Sequence, residues 1–339
     1  MRKVLVTGAG GFIGSHLAAD QARRGHQVIA MDVHLDRVAH LQAPGWFDLI
    51  EGDVCDEQLQ HQALQGVDTV FHLAAAHLSV RSGEAEFWRV NVDAVRNLIE
   101  ACRKAGIRRF VHCSSVGVYG RLLNPPANEE SPCFPEIPYE ITKLEGEKVV
   151  LDAIQATGFP AVILRPVWVY GPGCPRTEKL FHSIAKGRFF LAGQADALRH
   201  CVYIRDMVEA FHLASVSDVA LGQKMIVGDA APIPVRELIT RMAEVAGAKV
   251  PRTLPLWALY FSGVLAEILF KPLGKDPPLS RRTLKFFTNN TAFEIGRARR
   301  LLGYEPKYDL SAGLSETYAL LASGKPMLLP MPEPTVKPS

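Results

Sequence analysis

The chain has 339 residues, 48% of them hydrophobic and 22% charged, and carries a net charge of +3. This is the composition of an ordinary folded protein with enough length for one large or two moderate domains. So small a charge, with no Lys/Arg block, excludes nucleic acid as a partner. Six cysteines (Cys55, Cys102, Cys113, Cys133, Cys174, Cys201) are scattered without Cys-x-x-Cys spacing, which argues against a metal site or a disulfide framework and suits a reducing, cytoplasmic setting. The opening apolar run, Val4–Val6, is too short for a secretory signal and leads directly into a glycine loop.

In chain order, short apolar runs predict strands at Lys3–Thr7, Gln27–Asp32, Phe47–Glu51, Thr69–Leu73, Arg109–Ser114 and Ala161–Arg165. Helical periodicity fills the intervals at Gly11–Arg24, Gln58–Leu64, Glu86–Ala105 and Tyr139–Thr157. Near-continuous apolar strands alternating with helices predict an α/β fold, a doubly wound parallel sheet of Rossmann type over residues 1–173. A returning strand is expected near Lys224–Val227 and an amphipathic helix at Val235–Ala246. Residues 174–200 and 229–322 are expected to form a smaller substrate-binding lobe. The last stretch, 325–339, holds five prolines and reads as a disordered tail.

The first strand runs into Thr7-Gly8-Ala9-Gly10-Gly11-Phe12-Ile13-Gly14, which then opens a helix. In that setting Gly8 permits the tight turn, Gly11 lets the backbone approach a pyrophosphate, and Gly14 allows close helix–strand packing. Phe12 and Ile13 belong to the same cofactor-binding loop. Asp32 closes the second strand, eighteen positions after Gly14. A carboxylate there accepts hydrogen bonds from a ribose diol and repels a 2′-phosphate, favouring NAD, with Arg37 nearby as the one feature pointing to NADP. Asp53 and Val54 follow the third strand and could frame an adenine; Leu73, Ala74 and Ala75 follow the fourth, where small residues let backbone reach a cofactor.

The fifth strand ends in His112-Cys113-Ser114-Ser115, at the edge where a parallel sheet presents groups to its ligand. Tyr139 and Lys143 are four apart and share one helix face. A cation beside the phenol favours the phenolate and lowers its pKa from about 10.

Taken in order, Thr7–Gly14, Asp32, Asp53, His72–Ala75, Asn91, Ser114–Ser115, Tyr139/Lys143 and Arg165-Pro166 with Tyr170-Gly171-Pro172-Gly173 resemble the extended short-chain dehydrogenase/reductase family over about 320 residues. The resemblance implies NAD as cofactor, Pro166 among its contacts, and Ser115, Tyr139 and Lys143 as the catalytic trio. Tyr139 would be the acid/base, Ser115 would orient the reacting oxygen, and Lys143 would also bind the nicotinamide ribose. It also implies a homodimer through the helices at Glu86–Ala105 and Tyr139–Thr157.

Three departures narrow the branch. Val116-Gly117 stands where sugar dehydratases carry Asp-Glu, and Trp168 where nucleotide-sugar epimerases carry an amide. Leu284–Asn290 replaces a diphosphate-clamping arginine. That stretch, with Pro277-Pro278-Leu279-Ser280 before it and Ala298–Pro306 after it, looks like the 3-beta-hydroxysteroid dehydrogenase and sterol-4-carboxylate 3-dehydrogenase branch. The resemblance therefore implies an apolar, sterol- or terpenoid-like small-molecule substrate. The alternative is a UDP-sugar-type epimerase, for which Arg199 sits where such enzymes bind phosphate. Asp206, shortly after it, reads as a helix N-cap. Thr253–Phe270 is strongly apolar. As a helix of about 27 Å it could cover the pocket, lie on a membrane as a peripheral contact, or span one.

Overall fold

Seven parallel strands form the centre of the computed structural model, which describes residues 1–77, 83–270 and 281–324. They are β1 (Lys3–Thr7), β2 (Gln27–Asp32), β3 (Phe47–Glu51), β4 (Thr69–His72), β5 (Arg109–Cys113), β6 (Ala161–Pro166) and, after four short strands, β11 (Lys224–Val227). The short strands are β7 (Trp168–Tyr170), β8 (Leu191–Ala192), β9 (Leu198–Arg199) and β10 (Cys201–Tyr203); β12 (Ile233–Pro234) and β13 (Thr253–Leu254) follow. The spatial order β11-β6-β5-β4-β1-β2-β3 reverses direction between β1 and β4, and ligands bind at the carboxyl ends of the strands beside such a switch point. The predicted doubly wound Rossmann-type sheet is the observed one. The tail at 325–339 and the Pro277–Ser280 stretch lie outside the described residues.

The helices are α1 (Phe12–Arg23), α2 (Glu57–Ala63), α3 (Glu84–Trp88), α4 (Ala94–Ala105), α5 (Pro138–Thr157), α6 (Pro175–Ala185), α7 (Ile204–Val216), α8 (Val235–Val245), α9 (Leu256–Phe270), α10 (Arg281–Thr288), α11 (Gly296–Leu302) and α12 (Leu310–Ser323). α1 and α7 pack together, and α4 packs on both α2 and α5. The helix expected over Glu86–Ala105 is broken: a π turn at Arg89–Asp93 separates α3 from α4. The extra residue puts the Asn91 carbonyl against Gly146 of α5, where a Cβ would come within 2.4 Å of it. Only glycine allows that approach.

The hydrophobic core runs without a break from the sheet into the later segment, joining Val6 and Leu17 to Leu238, Met242 and Leu314. In that segment β9 pairs with β12, β8 with β13, and α8 packs on α6 and α12. Asp206 is not an N-cap. It lies one turn into α7, is buried, and accepts from the Lys307 and Tyr308 N–H groups at 3.0 and 3.1 Å, tying the approach to α12 onto α7. No described helix is long and apolar enough to cross a membrane.

Candidate active site

Gly8 adopts φ +74° and bonds through its N–H to the Met31 carbonyl, turning the chain out of β1. A Cβ on Gly14 would sit 2.0 Å from the Gly8 carbonyl oxygen, and one on Gly8 would sit 2.6 Å from the Ala74 nitrogen. Both positions are closed to any side chain. Gly11 differs: its Cβ would meet only the Gly8 oxygen, at 3.2 Å, because its other side is open. α1 has neither a side-chain cap nor an acidic residue in its first turn, so its free N–H groups, starting with those of Phe12 and Ile13, present a ready anion site. The Phe12 ring packs edge-on against His16, and Ile13 packs on the main core.

A cleft of about 290 Å³ opens beside this loop, lined among others by Gly8, Gly11, Asp32, Asp53, Val54, Leu73, Ala74 and Ala75. Eight of the fourteen residues expected at the cofactor thus line this cleft, and three more, Phe12, Ile13 and Gly14, lie in the first turn of α1 beside it. Asp32 accepts from the Gly10 N–H at 2.9 Å, fixing its carboxylate at the end of β2. Arg37, the feature that pointed to NADP, donates instead to the Gly173 carbonyl at 3.0 Å. Arg89 was missed by sequence reasoning because no motif marks it. It binds Asp53 at 2.8 Å and Glu86 through two nitrogens, on the cleft's rim. Partial desolvation works against the Asp53 carboxylate, but the Cys55 N–H and Arg89 hold it below the usual range.

Ser115, Tyr139 and Lys143 converge at the carboxyl end of β5. Ser115 leaves the strand and its Oγ accepts from the Gly117 N–H at 3.0 Å. A side chain at Gly117 would come within 3.2 Å of that Oγ and 3.8 Å of the Tyr139 ring, so the glycine keeps the two hydroxyls adjacent. Lys143 is buried and donates to the Cys113 carbonyl at 2.5 Å. The expected depression of the Tyr139 pKa is not found: burial pushes the phenol up to about 12, with the Cys113 thiol adding to the rise and the Ser115 hydroxyl opposing it. Lys143 is directed at the strand and not at the phenol. Its own pKa is lowered by burial. Pro166 ends β6, in register with Val227.

Buried polar contacts hold this helix in place. Asn91 Oδ1 accepts from the Ala76 N–H at 2.9 Å, and its Nδ2 donates to Thr142 Oγ1 at 3.0 Å. His72 bonds Thr7 at 2.8 Å and stacks on His112, both rings buried beneath Lys143.

The wall after β6 is aromatic. Trp168 meets Phe286 edge-on at 6.1 Å, and the Arg176 guanidinium lies 4.6 Å over the Trp168 ring. Arg199, 8% exposed, donates to Thr291 Oγ1 and to the Lys285 and Phe286 carbonyls. Those carbonyls belong to the last turn of α10, so Arg199 caps that helix.

Glycine loop, β2 carboxylate and Ser/Tyr/Lys trio on one doubly wound sheet define a nucleotide-dependent oxidoreductase. Residues 4–228 match the model of the NAD dependent epimerase/dehydratase family, and the chain belongs to that family. It is 31% identical over 340 residues to an uncharacterized UDP-glucose epimerase, YtcB, of Bacillus subtilis, covering 95% of this chain and 98% of the other. It is 31% identical over 334 residues to a 2-alkyl-3-oxoalkanoate reductase of Stenotrophomonas maltophilia (95% and 100% covered). With a 3 beta-hydroxysteroid dehydrogenase/Delta 5-->4-isomerase of Mycobacterium tuberculosis it shares 29% over 342 residues (93% and 89%). Among solved structures, MoeE5 in complex with UDP-glucose and NAD superposes with TM-score 0.74 at 28% identity, covering 95% and 99%. NAD is the cofactor, and the cradle at Gly8, Gly11 and Asp32 fits it.

Proposed function

We propose that this protein transfers a hydride between NAD and a secondary alcohol or ketone on an apolar, sterol- or terpenoid-like substrate. When bound, NAD supplies the hydride acceptor. In oxidation Ser115 would hold the alcohol oxygen while Tyr139 takes its proton, and in reduction Tyr139 would return it. Lys143 and Asn91 would keep the helix bearing Tyr139 in position, Lys143 also binding the nicotinamide ribose beside Pro166. The relatives include a steroid dehydrogenase and an alkyl-ketone reductase by name.

The observation that carries the apolar reading is the Trp168–Phe286 wall, together with an Arg199 whose terminal nitrogens are taken up in capping α10. A diphosphate would need those nitrogens. α9 adds support: Trp257, Tyr260 and Phe261 share a face and are 68%, 45% and 67% exposed. That face would rest on a lipid surface from which the substrate is collected. The working form would be a homodimer through α4 and α5.

The test is a screen following NADH absorbance with lipid alcohols and UDP-sugars side by side. NAD reduction with sterol-like alcohols supports the reading. Tightly retained NAD, with interconversion of UDP-sugars and no net reduction, would overturn it in favour of an epimerase.

A further inference from the structure

Arg89 opens the π turn after α3 and is fixed at the rim of the cofactor cleft. Its Nε and Nη2 donate to the two oxygens of Glu86 at 2.8 and 2.6 Å, and its Nη1 donates to Asp53 Oδ2 at 2.8 Å. Every nitrogen of the guanidinium is thus engaged. Its plane is set by two carboxylates on separate segments, one on α3 and one on the loop after β3. What such a group still offers a ligand is its flat face. Arg89 and Asp53 are 44% and 41% exposed, so their ion pair contributes little to folding.

The direction of the dinucleotide in the cleft follows from the glycine loop and Asp32. The pyrophosphate belongs at the first turn of α1 and the adenosine ribose at Asp32. The base then lies beyond Asp32, where Asp53, Val54, Ala76, Arg89 and Val90 close the cleft. Val54, Ala76 and Val90 are buried there and join Phe87 and Ala94 in one apolar cluster. An apolar floor, a carboxylate at one edge and a guanidinium face on the rim suit a purine, whose π face attracts the cation. Charge points the same way. Two carboxylates against one guanidinium leave this rim net negative, so Arg89 is not placed to clamp a further phosphate.

We propose that Arg89 is the platform on which the adenine of NAD stacks, its plane fixed beforehand by Glu86 and Asp53. It would make the cleft selective for a purine base. The inference concerns the cofactor and holds whichever substrate the site takes.

The experiment measures dissociation constants by calorimetry for NAD and for nicotinamide cytosine dinucleotide, which keeps both riboses and the diphosphate but carries a smaller base. Wild-type protein should prefer NAD. Arg89→Met should weaken NAD about 5- to 30-fold and the cytosine analogue less, so that the preference shrinks. Arg89→Tyr supplies a flat face without charge and should recover most of the NAD affinity. Arg89→Lys keeps a charge beside Asp53 and Glu86 but has no plane, and should recover little. Unchanged NAD affinity in Arg89→Met, or an equal loss for both dinucleotides, overturns the platform. Recovery by lysine, or by neither variant, also overturns it, since Arg89 would then act only by holding Asp53 or the fold. Should Arg89→Met fail to fold, the tyrosine and lysine variants decide alone.

Discussion

Arg165 and Glu147 form a buried two-pronged ion pair between β6 and α5, with nitrogen–oxygen distances of 2.9 and 2.6 Å and exposures of 2% and 1%. Arg165 also donates to the Tyr119 hydroxyl at 2.7 Å. Glu147 lies one turn beyond Lys143, so the pair clamps the helix carrying Tyr139 and Lys143 onto the sheet. Removing one partner strands a buried charge. Arg165→Met or Glu147→Leu should each cost about 3–5 kcal/mol in urea unfolding, and the double substitution should recover much of it. Additive losses would show that the two groups act independently.

The glycine loop separates folding from binding. Gly14→Ala places a methyl 2.0 Å from the Gly8 carbonyl and should lower the melting temperature markedly. Gly11→Ala meets only one oxygen at 3.2 Å and should fold with little loss. Its methyl would point into the cofactor cleft, however, and should weaken NAD binding at least about tenfold. Melting curves with and without NAD separate the two effects.

The raised Tyr139 pKa sets the direction of the pH dependence. Oxidation needs the phenolate, and the phenol stays protonated up to about pH 12. The kcat/KM for oxidation should therefore climb with pH across the whole accessible range, while reduction, which needs the protonated form, should not gain from alkali. Ser115→Ala removes a hydrogen bond that lowers this pKa and should depress oxidation further at any fixed pH. Tyr139→Phe should reduce turnover by about 10²- to 10⁴-fold with NAD binding intact. An oxidation optimum near pH 7 would show that another group carries the proton.

His72 and His112 predict acid lability. Burial holds His72 down to about 3 and His112 well below its usual value, with Lys143 adding to both. The unfolded chain takes up these protons near pH 6.5, the folded one only far lower. Their contribution to stability is complete above pH 6.5 and is lost as pH falls, by about 1.4 kcal/mol per unit for each ring. Unfolding free energies at pH 7.5, 6 and 5 measure this slope. His72→Asn should reduce the slope by about 1.4 kcal/mol per pH unit, leaving the share of His112.

The sheet was legible because parallel strands buried on both faces must read as apolar runs, and Lys3–Thr7, Gln27–Asp32 and Phe47–Glu51 match to the residue. The π turn was not legible. Asn91 makes it with partners at Ala76 and Thr142, far away in sequence, and local periodicity there is helical. Asp206 failed as an N-cap for the same reason, its acceptors being engaged by a segment a hundred residues later. Tyr139 and Lys143 were legible as neighbours, but the direction of the ammonium depends on a carbonyl of β5. Arg89 bore no motif at all. Only its bonds to Asp53 and Glu86 on the cleft's rim single it out.

Asn91 touches Ala76 in the cofactor cleft with one end of its amide and Thr142, the residue before Lys143, with the other. It works as a ruler. The distance from the cleft to the helix carrying Tyr139 and Lys143 is set by one buried side chain on the π turn. The aromatic wall and the segments after β7 could then be rebuilt while the cofactor cleft and Tyr139 keep their spacing.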